Sequence, residues 1–278
     1  MATQQLQRDP SLPRSISIWG DELKKIKLPD GKFDPAGQWS QLYTQYSLGP
    51  ISGGWRSAFR TVGALRLERM PDENGGFTQR GRHVTQMIGK TWLSTEWIAD
   101  YGGNRLATPW RWSFTSDLLF NFKPVDKNFR YQDVGPTSYQ NRSLPMASAK
   151  NHFTGRVEGD EIINEGCSPI TLAPTTKLAV NWGVFDAVQR LESKLEVPLT
   201  FDMLEDFDLH KPGQTLRSGG ALTVEFAGES VRLHSFLQTG WGILPWEYWL
   251  NEQGRLVLAV GGFKGYVLNP AEPIGEKL

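Results

Sequence analysis

The chain has 278 residues, 39% of them hydrophobic, enough to bury the core of one large β domain or two small ones. Its 30 basic and 30 acidic side chains balance, which leaves no basic footprint for nucleic acid or an anionic membrane surface. Cys167, the single cysteine, excludes an intrachain disulfide and any multi-cysteine zinc site.

The first twenty residues, MATQQLQRDPSLPRSISIWG, lack the apolar run of a signal peptide. No later stretch approaches the roughly 18 apolar residues of a membrane span. The expectation is a soluble protein without a membrane span, cytoplasmic or exported with its signal removed. Residues 1–50 mix Gln, Pro, Asp and Lys with isolated rings (Trp19, Phe33, Trp39, Tyr43) and read as an extended arm wrapping the rest.

From Arg56 to about Arg130 the pattern has period two, with turn signals at PDENGG (71–76), DYGGN (100–104) and KPVDKN (123–128). This predicts an antiparallel meander of long strands. After a Pro- and Ser-containing segment, FTGRVEGDEIINE (153–165) predicts a hairpin about Glu158, Gly159 and Asp160.

The stretch APTTKLAVNWGVFDAVQRLESKLEVP predicts the one helix, over about 175–194. Leu178, Trp182, Phe185, Val188 and Leu191 recur three to four apart, Thr175 or Thr176 stands where a cap belongs, and Pro198 lies beyond the end. The acidic run FDMLEDFDLH (201–210) reads equally as a short helix or a loop, and period two returns from Gln214 to Leu268. The expected fold is therefore mainly β: an antiparallel meander curved into an open barrel or a two-sheet sandwich. Residues 51–278 form its single domain, with one amphipathic helix packed on the sheet.

Two hairpins concentrate the chemistry. A two-residue turn at Gly102–Gly103 would set Thr95 opposite Trp110 and Leu93 opposite Trp112, gathering Leu93, Trp97, Trp110, Trp112 and Phe114 on one face. Ser94, Glu96, Asp100, Arg105 and Arg111 fall on the other. The stretch HSFLQTGWGILPWEYWLNEQGR (234–255) sets Glu247 among four aromatics, Trp241, Trp246, Tyr248 and Trp249. With Gly240–Trp241 as its turn, His234 would face Glu247, and Arg232 would face Trp249. A carboxylate beside an imidazole makes a general acid/base pair near neutral pH.

The candidate catalytic residues are therefore His234, Glu247 and Arg232. Trp97, Trp110, Trp112, Trp249 and His152, which begins a strand after a loop, are the candidate substrate contacts. No metal site is expected. The acidic run 201–210 lacks the ligand order and bend glycine of a calcium loop, and no HExxH occurs. GxSxG, GxGxxG and GxxxxGK[ST] are also absent, so no organic cofactor is expected.

These residues imply an enzyme working by general acid/base chemistry, as a lyase, hydrolase or isomerase, on a sugar-like or aromatic small molecule in a Trp-lined β pocket. The alternative is a non-catalytic β-barrel carrier of a lipophilic or glycan ligand.

Overall fold

The structure, a computed structural model, describes residues 16, 24, 27–29, 31–47, 60–86, 91–120, 150–165, 167–173, 176–226 and 228–269. The first half of the described chain holds strands β1 (Trp39–Ser47), β2 (Arg60–Pro71), β3 (Phe77–Gln86), β4 (Thr91–Tyr101), β5 (Pro109–Phe120), β6 (Lys150–Glu158), β7 (Glu161–Asn164) and β8 (Ile170–Thr171). The second half holds β9 (Leu178–Val180), the helix α1 (Asn181–Arg190), β10 (Leu199–Glu205), β11 (Leu209–Phe226), β12 (Glu229–Thr239), β13 (Trp246–Asn251), β14 (Leu256–Gly261) and β15 (Lys264–Leu268).

All 15 strands belong to one sheet, in the order β8-β7-β6-β5-β4-β3-β2-β1-β15-β14-β13-β12-β11-β10-β9. Every pairing is antiparallel except the short one between β9 and β10. Because β1 pairs with β15, the first and last strands of the described residues meet in the middle of the sheet, and the edges of the sheet among the described residues are β8 and β9.

Those edges share no ladder. Side chains join the two ends instead: Thr108 Oγ1 donates to Leu178 O at 2.7 Å, and Asn164 Nδ2 donates to Phe207 O at 3.1 Å. The result is the open-barrel form of the expected fold, a single coiled sheet rather than two packed ones.

The helix packs on the sheet as expected but is shorter than expected. It begins at Asn181 with Val180 in the cap position and no side-chain cap, so Thr176 does not cap it, while Thr175 lies outside the described residues. The apolar triplet Leu178–Val180 forms β9 instead. Residues Trp182 to Gln189 are all buried, which marks a helix covered on every side.

Ring contacts place α1 inside the coil. Trp182 stacks on Trp97 of β4 at 5.0 Å, and Phe185 meets Tyr43 of β1 at 5.9 Å and Tyr248 of β13 and Tyr266 of β15 at 5.7 Å each. Its polar groups are also held by the wall. Gln79 Nε2 donates to Trp182 O at 3.2 Å, and Gln41 Nε2 donates to Gln189 Oε1 at 2.8 Å.

Residues 39–47 are a second correction, since they form a central strand and not part of an arm. Their inward row is Trp39, Gln41, Tyr43 and Gln45, all buried, and the glutamines are inward because they bond the helix and His83. An apolar/polar alternation rule misses a strand whose buried face is half polar.

The acidic run 201–210 is likewise neither helix nor open loop but the β10–β11 hairpin. At its tip Asp206 and Phe207 adopt φ of 51° and 63°, which ordinary residues rarely take. Two anchors hold the tip there. Asp206 Oδ1 accepts a bond from Trp182 Nε1 at 2.8 Å, and the buried Phe207 ring meets Trp112 at 5.8 Å and Phe114 at 5.9 Å.

Gly155 of β6 shows how closely the wall is packed. A Cβ there would lie 2.3 Å from Trp112 Cε2 and from Asn164 Oδ1, the atom that accepts the bond from Trp112 Nε1. Gly155→Ala is expected to lower stability by about 1–3 kcal/mol, the range for overpacking, measured by urea unfolding. Equal stability of the variant would mean that Trp112 has room to move.

Candidate functional site

The aromatic-rich stretch forms a longer loop than a two-residue turn. Residues 240–245 connect β12 to β13, and Pro245, with no N–H to give to a ladder, lies at the end of that loop. His234 therefore faces Leu250 and Glu247 faces Leu237, a shift of three positions from the expected register. An odd shift reverses the face, so His234 and Glu247 point to opposite sides of the sheet. The expected acid/base pair is not formed.

Each member has a different environment. His234 is half-buried beside Phe236, with ring centroids 5.7 Å apart, and burial lowers its pKa. Glu247 Oε1 accepts a bond from Ser235 Oγ at 3.0 Å. Arg232 is exposed and faces Thr223 of β11, whereas Trp249 faces Ser235 and is fully buried.

The β4–β5 hairpin also turns later than expected, through residues 102–108. Gly103 serves close packing, since a Cβ there would lie 2.0 Å from Gly75 O, and Asn104 Oδ1 organises the loop by accepting from Leu106 N and Thr108 N at 3.2 and 3.1 Å. Thr95 consequently faces Ser116 instead of Trp110, a shift of six. An even shift keeps the faces, and Trp97, Trp112 and Phe114 do share the inward side, with Trp97 directly opposite Phe114.

Trp110 is the exception. The register slips between Asp100 and Tyr101, which pair with Arg111 and Pro109, so Trp110 is the extra residue of a bulge. It is 49% exposed, with the Arg111 guanidinium 4.8 Å from its ring centroid. Trp97, Trp112 and Trp249 are buried by the protein itself, and Trp112 and Trp249 lie in the core.

A cleft of about 400 Å³ lies on the outer face of β2–β5. The strand alternation that sends Leu65, Leu67, Gln79 and His83 inward sends Arg66, Glu68, Arg80 and Arg82 outward, and β4 and β5 add Glu96, Ile98, Ser113 and Thr115. Trp97 borders the cleft next to Gly81, which faces it in the ladder and carries no side chain.

The ladder registers align these residues in rows. One row runs Arg66, Arg82, Glu96, Thr115, His152, and the next runs Glu68, Arg80, Ile98, Ser113. Glu96 accepts an ion pair from Arg82 at 2.9 Å, and Thr115 Oγ1 lies 2.9 Å from His152 Nδ1. Two of the residues singled out from the sequence, Trp97 and His152, thus adjoin this cleft, while His234, Glu247, Arg232 and Trp249 lie on other strands.

The arginines and glutamates of the cleft were missed by sequence reasoning, which looked for rings and histidines. Their signal was present as charge at alternate positions, Arg66/Glu68 and Arg80/Arg82, on strands whose other face carries Leu65, Leu67, Gln79 and His83. Among the described residues no group of three or more His, Cys, Asp or Glu side chains is placed to hold a metal ion. Asp202 and His210 lie 2.9 Å apart on the β10–β11 hairpin. No helix among the described residues is long and apolar enough to cross a membrane.

No family model matches the chain, and no curated protein matches it either. Among solved structures, it is similar to a β-barrel-like protein of domain of unknown function DUF1849 from Brucella abortus. That likeness has 10% identity over 84% of this chain and 95% of the other, with a TM-score of 0.48.

Proposed function

We propose that the protein is a non-catalytic binding module of barrel-like fold that holds a hydroxyl-rich small molecule of the glycan kind on the outer face of β2–β5. The observation that carries this reading is the cleft itself: about 400 Å³, with guanidinium, carboxylate and hydroxyl groups in register-aligned rows. Sugars present hydroxyls that both donate and accept, and such a mixed lining offers partners for both. A lipophilic cargo fits less well. The middle of the coil is occupied by α1, and the rings that would receive an apolar ligand already pack on one another.

An acid/base enzyme is the competing reading, and one local feature favours it: the 2.9 Å contact between Thr115 Oγ1 and His152 Nδ1 at the end of the cleft. A glycan panel with the intact protein separates the two. Ser113→Trp, which fills the cleft from an outward-facing position, is expected to weaken binding of any panel member about tenfold or more without changing the fold. The bound glycan should be recovered unchanged. Recovery of an altered glycan, lost again in His152→Ala, would replace the binding reading with the enzymatic one. Equal binding by Ser113→Trp would move the ligand elsewhere.

A further inference from the structure

We propose that Arg80, with Arg66 and Arg82 beside it, forms an oxyanion subsite in the cleft, so that the ligand is an acidic glycan and not a neutral one. This rests on the binding reading above and gives it a charge preference. Arg66 and Arg82 stand directly opposite each other on β2 and β3, and Arg80 lies two positions from Arg82 on the same face. Like charges placed opposite in neighbouring strands destabilise a sheet. The fold has collected them all the same, three guanidiniums against the two carboxylates Glu68 and Glu96.

The carboxylates do not cancel them evenly. Glu96 is drawn to Arg82 at 2.9 Å. Arg80 is exposed and enters no ion pair or hydrogen bond among the described residues, although Glu68 faces it across the ladder. Its planar fork of N–H donors is therefore available to a ligand, and such a fork matches a carboxylate or a phosphate with two parallel bonds.

The flanking groups define the rest of the ligand. Ser113 and Thr115 supply hydroxyls from β5, two strands away, and Ile98 of β4, 42% exposed, gives an apolar surface that a sugar ring face can cover. The carboxylate of a uronic acid and the phosphate of a sugar phosphate share the chemistry that Arg80 would recognise. The experiment must distinguish them.

Affinity of the intact protein would be measured by calorimetry for three disaccharides of one linkage: neutral, carrying a glucuronate, and carrying a phosphate. One or both acidic forms are expected to bind at least about tenfold tighter than the neutral one at low salt, with the advantage shrinking as salt is raised. The form that gains more identifies the anion. Arg80→Gln should abolish the advantage, bringing the acidic forms down to the affinity of the neutral one in the same variant, and Arg80→Lys, which keeps the charge but not the fork, should retain part of it. Equal affinity for all three, or an advantage that persists in Arg80→Gln, overturns the subsite while the binding reading stands. Failure of all three to bind removes both.

Discussion

Replacing Asp186 by Ala is expected to destabilise the protein by about 3–5 kcal/mol, the usual penalty for removing one partner of a buried ion pair. Asp186 lies on the helix inside the coil and is wholly buried. Its Oδ2 pairs with Arg69 Nε at 2.9 Å and its Oδ1 with Arg190 Nε at 2.6 Å. Burial pushes the Asp186 carboxyl pKa upward, and the two guanidiniums, Arg190 first, act against that shift. Removing the carboxylate would leave Arg69, itself 4% exposed, as an uncompensated charge in the wall.

The same carboxylate ties distant segments together. Arg69 Nη1 donates to the carbonyls of Ala36 and Gly37, and Arg190 Nη1 donates to Asn104 O at 3.1 Å. Phe77 lies beneath the Arg69 guanidinium at 4.2 Å and stacks on Tyr101 at 4.8 Å. The segment before β1, the β4–β5 loop and the helix are therefore fixed through one acid. A double-mutant cycle should confirm the coupling: Asp186→Leu with Arg69→Met is expected to cost less than the sum of the two single changes, because the double variant no longer buries the Arg69 charge unpaired, while Arg190 loses its partner equally in the single and the double. Additive costs would mean that the pair does not hold the helix in place.

How far the sequence disclosed this arrangement turns on parity. In the β4–β5 hairpin the expected register differs from the real one by an even number of positions, six, so the inward set Trp97, Trp112 and Phe114 shares a face in either pairing. In the β12–β13 hairpin the error was odd, and the proposed partnership of His234 with Glu247 vanished with it. Alternation tells which residues share a face, whereas register depends on loop geometry that residues such as Gly103 and Pro245 enter for reasons other than turning the chain. Neither hairpin could disclose that a helix fills the interior. That requires the long-range β1–β15 pairing, and a pattern of glutamines and an arginine facing a helix looks from the sequence like a surface. The outer cleft was hidden for the opposite reason, since charges at alternate positions look like ordinary solvated strand until registers bring three arginines together.

Acid should unfold the protein through His83. The ring is 6% exposed inside the sheet, with Nε2 lying 3.1 Å from Gln45 Oε1 and 3.3 Å from Tyr266 Oη, and with the Trp182 ring of the helix 5.1 Å away. Glutamine, phenol and indole do not compensate an imidazolium as a carboxylate would. Burial lowers the His83 pKa from 6.5 to about 3, and the charge of Lys264 on β15 acts in the same direction. The fold thus keeps the ring neutral where the unfolded chain would already take up a proton. Stability that is fully present above about pH 6.5 is lost as the pH falls toward about 3, at up to about 1.4 kcal/mol per pH unit. Urea unfolding of the wild type and of His83→Gln between pH 7 and 4.5 isolates this contribution, because glutamine can still bond Gln45 but cannot titrate. Loss of the ring's contact with Trp182 offsets the variant at every pH, so the slopes are compared and not the absolute values. The wild type should lose about 2–3 kcal/mol more than the variant over that interval. Parallel slopes would mean that His83 takes up its proton within the folded protein, which requires the wall around it to open or a charge to move beside it.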